Sequence, residues 1–338
     1  MQSYIERLKG GDSLSREEMT SVIDTFMRGE GSDADIGDFL FALQAKGETV
    51  DEIAGAATSL RKHMRTIHSR HERLVDTCGT GGDGSGTFNI STAAALVTAA
   101  AGLPVAKHGN RGITSRTGSA DVLAALGVNI EVDVPVVERC LDELGICFCF
   151  APWMHPAMRH VSVARKQLGV PTIFNLLGPL CNPASAPIQL LGVGKPQLRR
   201  RLAAALQMLG CLQGAVVCGE DGLDEVTTAA ATRVCRVTPE GLSEEVWQPE
   251  TFGVASDQLT ALAVEGPEGS AAMIREVLAG QSGPPRSIVV LNAAAALWIA
   301  GEEDSPTACR QRAERAIDRG DARNLLTQWA EFTNRESV

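Results

Sequence analysis

From about Leu74 onward the chain alternates short, uninterrupted apolar runs with alanine-rich stretches of helical spacing, and this pattern leaves few architectures open. The runs are Pro104-Val-Ala106, Ile146-Cys-Phe-Cys-Phe150, Gln189-Leu-Leu-Gly-Val193, Gly214-Ala-Val-Val-Cys218 and Ile288-Val-Val-Leu291. Between them lie helical stretches such as residues 120–126 and 198–209. A strand that is apolar on both sides has to be covered on both. Such strands, spaced by helices, predict a mostly parallel sheet between two helix layers. Ligands of such sheets sit beyond the carboxyl ends of the strands.

The first 72 residues read differently. Ser15-Arg-Glu-Glu18 and Thr49-Val-Asp-Glu52 are capping-box patterns, predicting one helix through Met27 and another to about His68. Ile36, Phe39, Leu40 and Leu43 recur at helical spacing between them. These helices carry too little apolar surface for a large core, so their spare faces are expected to pack on something else. The expected class is α/β, with a small all-helical N-terminal domain (residues 1–72) on a larger α/β domain (residues 73–338). A chain of 338 residues with 44% hydrophobic content is long enough for both.

Lys and Arg number 31 against 41 Asp and Glu, a formal charge of −10. That balance argues against a nucleic-acid or membrane-surface protein, and an anionic substrate would need locally placed cations or a metal. Nine cysteines scattered through the chain, none paired as CxxC, read as reduced thiols. No charged segment followed by an apolar one opens the sequence, and the longest uncharged apolar run, residues 287–301, is too short to cross a bilayer. A soluble cytoplasmic protein is expected.

Five glycines fall within residues 79–86, in Asp76-Thr-Cys-Gly-Thr-Gly-Gly-Asp-Gly-Ser-Gly-Thr-Phe-Asn-Ile-Ser-Thr92. They let the backbone approach a bound group and turn N–H donors inward, which suits an anion. Ser91 or Thr92 is expected to cap the apolar helix that follows, adding free N–H groups and the positive end of a dipole. Gly79-Thr-Gly-Gly-Asp-Gly84 also matches the dinucleotide fingerprint, but the loop runs on too far before its helix. The next strand, moreover, ends in Lys107 where an acid would be needed.

Three further clusters could carry chemistry. Lys107-His-Gly-Asn-Arg111, followed by Thr114, Ser115, Arg116 and Ser119, offers cations, hydroxyls and directed donors one crossover after the glycine loop. Gly219-Glu-Asp-Gly-Leu-Asp224-Glu225 places adjacent carboxylates after a strand, hard oxygen ligands of the kind Mg²⁺ takes together with substrate phosphates. Ala151-Pro-Trp-Met-His155, with Arg165 and Thr172-Ile-Phe-Asn-Leu-Leu-Gly-Pro179, reads either as a flat apolar pocket with a cation for a carboxylate or as a hydrophobic hinge. Zinc-site spacing, a nucleophile elbow and a Walker P-loop are all missing.

Taken in order, Gly79-Thr-Gly-Gly-Asp83, Asn89-Ile-Ser-Thr92, Lys107-His-Gly-Asn-Arg111, Pro156-Ala-Met-Arg-His160, Thr172-Ile-Phe-Asn-Leu-Leu-Gly-Pro179 and Gly222-Leu-Asp-Glu225 closely resemble the anthranilate phosphoribosyltransferase family. The resemblance spans nearly the whole chain. It implies a nucleoside-phosphorylase-like fold, a homodimer through the helical domain, and a segment near residues 163–182 packed back on that domain. The implied reaction joins anthranilate to 5-phosphoribosyl 1-diphosphate in tryptophan biosynthesis, releasing diphosphate. Carried over residue by residue, it assigns Gly79, Gly82, Asp83, Thr87, Asn89, Ile90, Ser91, Thr92, Lys107, Ser115 and Ser119 to phosphoribosyl diphosphate. Ser91, Asp224 and Glu225 would ligate two Mg²⁺ ions. Gly79, Asn110 and Arg165 would meet anthranilate, with His108, Pro152 and His155 shaping its pocket. No general base is implied. Three positions depart from the pattern: Gly112 replaces a small polar residue, Pro171 a basic one, and Cys181 precedes Asn-Pro.

Two rivals fit parts of this pattern. A pyrimidine-nucleoside phosphorylase would share the fold, although paired acids favour diphosphate chemistry. A non-catalytic relative binding nucleic acid or a partner would have to reconcile that role with the acidic charge.

Overall fold

The computed structural model describes residues 1–112 and 117–335, so Thr114, Ser115 and Arg116 lie outside the described residues. Four helices open the chain: α1 (Gln2–Lys9), α2 (Arg16–Met27), α3 (Asp33–Lys46) and α4 (Val50–His63). Both expected capping boxes form. The Ser15 hydroxyl accepts from the Glu18 N–H while the Glu18 carboxylate accepts from the Ser15 N–H, and Thr49 and Glu52 do the same. Helix α4 stops at His63, short of the expected His68. Met64 is extended, and the Arg65 N–H turns away to the Met154 carbonyl.

The α/β part follows: β1 (Val75–Gly79), α5 (Ile90–Ala100), β2 (Val105–Gly109), α6 (Ser119–Ala125), α7 (Val134–Leu144), β3 (Ile146–Phe150), α8 (Ala151–Met154), α9 (Arg159–Leu168), α10 (Phe174–Leu177), β4 (Ile188–Gly192), α11 (Pro196–Met208) and β5 (Gln213–Gly219). A hairpin, β6 (Thr232–Thr238) and β7 (Gly241–Trp247), and four helices complete it: α12 (Gly266–Leu278), α13 (Pro284–Ile299), α14 (Pro306–Asp318) and α15 (Asp321–Arg335). The sheet order is β3-β2-β1-β4-β5-β6-β7; the first five strands run parallel and the last two antiparallel. Successive crossovers move outward from β1 to β3, then return to β4 on the other flank of β1. The switch point therefore lies between the carboxyl ends of β1 and β4.

Adjacent residues on the central strands feed different cores. Leu190, Ala215 and Val217 pack with α5 and α13, whereas Leu191, Val216 and Cys218 pack with α11 and the N-terminal helices. This is why their sequences are apolar without alternation. The N-terminal helices share that second core with Val161 and Ala164 of α9, with Phe174 and Leu177 of α10, and with Leu180 and Cys181. Their spare apolar faces are thereby covered within the chain.

Two further sequence-based expectations change, and one element had no counterpart among them. Ile288-Val-Val-Leu291 is not a strand. It lies in α13, where every residue from Ile288 to Leu297 is buried. A helix buried all round shows no polar stripe, so its periodicity resembles that of a buried strand. The hairpin β6–β7 was not anticipated, because its polar outward residues break the apolar runs (Arg233 and Glu244 are exposed). Ser91 and Thr92 do not cap α5. Asn89 holds the N-cap position, with no side-chain cap bond to the backbone, and the two residues sit in the first turn.

Tight approach of β4 to the acidic loop depends on Gly192, where a Cβ would overlap the Asp224 carbonyl oxygen. At Gly178 a Cβ would meet nothing within 4 Å. Gly192→Ala is therefore expected to cost roughly 1–3 kcal/mol by overpacking, and Gly178→Ala far less, measured as a shift of the urea midpoint at constant slope.

Candidate active site

A cleft of about 640 Å³ opens at the switch point. Its walls are the glycine loop, the first turn of α5, the end of β2, the turn before α6, the α8–α10 region and the Asp224–Glu225 loop. The glycine loop spans this edge in a conformation that side chains resist: Gly81, Gly82, Gly84 and Gly86 all have φ between +66° and +82°. It is tied down at its far end. The Phe88 N–H donates to Leu262 O (2.8 Å), the Val264 N–H to Gly86 O (3.1 Å) and the Asn89 N–H to the Ser270 hydroxyl (2.9 Å).

Asp83 of the loop meets Asp224 and Glu225, which face it from the β5–β6 connection, at one end of the cleft. The Asp224 N–H points at Asp83 Oδ2 (3.5 Å), and a Cβ on Gly79 would come within 3.0 Å of Asp224 Oδ2. Burial, reinforced by the neighbouring Asp83, pushes the Asp224 carboxyl well above its ordinary range. Burial and then Asp224 do the same to Glu225, with Lys107 opposing. Acids that raise one another in this way lack full compensation by positive charge. Lys107, almost fully buried, reaches between the strands and donates to Thr77 O and to the Ser91 hydroxyl (3.2 Å). It also faces buried Asp76, which desolvation raises to about 6 against the pull of Lys107. Asp76 accepts from the His108 N–H (3.2 Å) and from Asn182 Nδ2 (2.8 Å), which anchors the start of the second loop.

The acidic end fits a hard dication. Carboxylate oxygens and the Ser91 hydroxyl are the right donors, and Lys107 compensates their charge only in part. Among the described residues no three His, Cys, Asp or Glu side chains form a ready-made cage, so substrate oxygens and water would complete the shell of an ion held there.

The opposite end is chemically different. His108 donates from Nδ1 to Gly178 O (2.9 Å), which makes its Nε2 an acceptor, and His155 Nε2 donates to it (3.1 Å). Burial lowers His108 to about 4; burial and then His108 lower His155 to about 3. The pair is a neutral, polar wall whose two rings are tilted 50° to one another. Beside it Arg165, half-buried, lies over the Phe174 ring (5.4 Å). Burial lowers its guanidinium pKa, and among the described residues it has no carboxylate partner.

The sequence-derived residues are placed as follows. Gly79, Gly82, Asp83, Thr87, Asn89, Ile90, Ser91, Lys107, Ser119, His108, Asn110, Pro152, His155, Arg165, Asp224 and Glu225 all line this one cleft. Thr92 does not. It is buried behind the loop, its hydroxyl bonded to the Asn89 side chain, and it shapes the turn instead. Arg159, Ser162 and Asn175 also line the cleft and were not singled out, although Arg159 and Asn175 sit inside the quoted motifs. Gly112, the departure in the second loop, donates its N–H to Asp121 Oδ2 (2.8 Å), a bond that requires no side chain at that position.

A glycine loop at a helix N-terminus, facing half-buried acids across a parallel-sheet switch point, defines an enzyme built for phosphorylated substrates. Residues 71–323 match the glycosyl transferase family a/b domain, and residues 2–64 match the helical bundle domain of that family. An anthranilate phosphoribosyltransferase of Rhodopirellula baltica is 47% identical over 97% of this chain and 96% of its own length. The crystal structure of the Thermus thermophilus anthranilate phosphoribosyltransferase superposes with a TM-score of 0.92 at 42% identity, covering 98% of this chain and 99% of its own. The Saccharomyces cerevisiae enzyme in complex with PRPP and Mg gives 0.90 at 29% identity, covering 99% and 98%. This chain belongs to the anthranilate phosphoribosyltransferase family and is a phosphoribosyltransferase.

The histidine pair makes a pH prediction. Both folded pKa values lie below the ordinary 6.5, so the stability they contribute is present above pH 6.5 and is lost as pH falls toward 4. Each histidine should impose a slope of ~1.4 kcal/mol per pH unit in that window. Between pH 7 and 5 the parent should therefore lose more stability than His108→Asn/His155→Asn. Equal losses, measured by chemical unfolding at both pH values, would refute the neutral pair.

Proposed function

We propose that this chain transfers the 5-phosphoribosyl group of 5-phosphoribosyl 1-diphosphate to the amine of anthranilate, with release of diphosphate, in tryptophan biosynthesis. The observation that carries this reading is the polarity of the cleft. One end offers the glycine loop and half-buried acids for a metal-bound diphosphate. The other offers an arginine backed by Phe174, without a carboxylate partner among the described residues, and a neutral histidine wall for an aromatic carboxylate. The yeast relative solved with PRPP and Mg, and again with 4-fluoroanthranilate (28% identity, TM-score 0.89, covering 99% of this chain and 97% of its own), supports the same pairing of ligands.

In this reading Gly79, Gly82, Thr87, Asn89, Ile90 and Ser119 hold the phosphoribosyl diphosphate through backbone and hydroxyl donors, and Lys107 adds positive charge. Ser115 completes this set by its sequence position. Two Mg²⁺ ions, held by Ser91, Asp224, Glu225 and substrate oxygens, would supply charge to the departing diphosphate. Asp83 orients the glycine loop toward Asp224. Arg165 takes the anthranilate carboxylate; Asn110 and Gly79 position the ring against Pro152, His108 and His155. The aromatic amine is already neutral at pH 7, so the protein needs to align it with C1 of the ribose rather than deprotonate it. His108 suits that role, since both its nitrogens are engaged with Gly178 and His155 and neither is free to act as a base. Catalysis then rests on positioning and electrostatics.

The same reading divides the chain at residues 72 and 73, groups residues 163–182 with the helical part, and pairs two copies through the helical domain in the cytoplasm. It is compatible with the absence, among the described residues, of any helix long and apolar enough to cross a membrane.

Loss of anthranilate fluorescence on adding phosphoribosyl diphosphate and Mg²⁺ tests the proposal. The loss should stop with EDTA and should need roughly tenfold or more Mg²⁺ in Asp224→Asn, the equivalent of ~1.4 kcal/mol of lost binding. Phosphorolysis of thymidine or uridine in its place would favour the phosphorylase. Arg165→Ala should raise the KM for anthranilate at least tenfold and that for phosphoribosyl diphosphate less than threefold, as expected for a charge-assisted bond worth ~1.5–3 kcal/mol. The reverse ordering would overturn the pocket assignment.

A further inference from the structure

The Asp224–Glu225 loop occupies an irregular segment between β5 and β6, and one side chain from a distant helix holds it. Asn292 is 1% exposed and sits in α13 among Ile288, Val289, Val290, Leu291 and a run of alanines. An amide in such an apolar interior is costly unless its polar atoms are bonded. Asn292 bonds them mainly to one residue. Its Oδ1 accepts from the Val226 N–H (2.9 Å), and its Nδ2 donates to Val226 O (2.8 Å) and to Ile288 O (2.9 Å). Val226 directly follows the two acids, so this two-point grip fixes both peptide planes flanking it. The plane on the amino side is the one that carries Glu225.

The helix that delivers the grip is also the one that packs on α5, where runs of alanine on both helices permit close approach. The first turn of α5 carries Ser91. Ser91 and the Asp224–Glu225 pair are therefore both tied to α13, one through alanine packing and the other through the Asn292 amide, beside the direct bond that the Glu225 carboxylate takes from the Ser91 backbone. A second, weaker anchor lies just beyond, where the Thr227 N–H donates to the Thr232 hydroxyl (3.1 Å).

We infer that Asn292 is a positioning residue for the cation site: it holds the acidic pair in register with Ser91, so that its loss weakens metal binding without altering the anthranilate pocket. The inference rests on the metal-site reading given under Proposed function.

The test uses the full-length enzyme with Asn292→Leu, Asn292→Ser and Thr232→Val, plus Val290→Ala as a control on the same helix that makes no hydrogen bond to the loop. Two quantities are read: the Mg²⁺ concentration for half-maximal activity, and the rise in Tm that Mg²⁺ produces with inorganic diphosphate present. Both Asn292 variants should raise the half-maximal Mg²⁺ about tenfold and shrink the Mg²⁺-induced Tm rise, with the KM for anthranilate within twofold of the parent. Thr232→Val should shift the same two quantities by a smaller factor, and it carries the measurement should the Asn292 variants not fold. A Val290→Ala enzyme equally destabilised should keep the parent's Mg²⁺ response. Variants that respond to Mg²⁺ as the parent does, or a control that shifts as much, would overturn the positioning role. A parent with no Mg²⁺ response at all would instead overturn the metal reading on which it rests.

Discussion

The structure depends on confining three half-buried carboxylates, Asp83, Asp224 and Glu225, to one end of a cleft. Their mutual repulsion is unfavourable in the free protein, and burial raises two of them well above ordinary carboxylate values. Such an arrangement persists only because the backbone around it is held from several directions. Gly192 permits close passage of β4, the glycine loop folds over it, and α13 grips the acidic loop through Asn292. The unfavourable charge is what equips the site to receive a metal-bound diphosphate. Compensating it fully with protein cations would leave less for the substrate to gain.

Lys107 shows how finely the positive charge is placed. Its ammonium is spent on Thr77 O and the Ser91 hydroxyl, and it faces Asp76 on one side and Glu225 on the other. It thus joins β1, β2 and α5 while moderating the acid cluster. Arg165 is the opposite case, a cation stacked on Phe174 with no carboxylate partner among the described residues. Lys107 and Arg165, at two ends of one cavity, one engaged by neighbouring groups and one not, give the cleft a direction. That direction distinguishes a phosphorylated donor from a flat acceptor.

Much of the fold was legible because local rules and tertiary packing agree. The capping boxes of α2 and α4 formed at the residues expected, since their partners are three positions away and need nothing else. Strands β2 to β5 were legible because burial on both faces leaves an unbroken apolar run. The same reasoning misread Ile288-Val-Val-Leu291, where full burial produces that run in a helix. It also passed over β6 and β7, whose outward faces are polar. Asn89 displaced Ser91 from the N-cap because the glycine loop arrives at α5 anchored to Ser270 and Leu262, contacts that no local pattern contains.

By itself the sequence determined the chemical inventory and its order: a glycine loop before a helix, a basic loop after the next strand, paired acids after a later one, and the apolar periodicities that build the layers. Those are local properties, written in neighbouring residues. Only the tertiary structure decided that residues from 79 to 225 share one cleft, because the strand order reverses between β1 and β4 and brings their carboxyl ends together. It also decided the charge states. The neutral histidine pair and the raised acids depend on burial and on partners tens to more than a hundred residues away, and desolvation acts through space rather than along the chain.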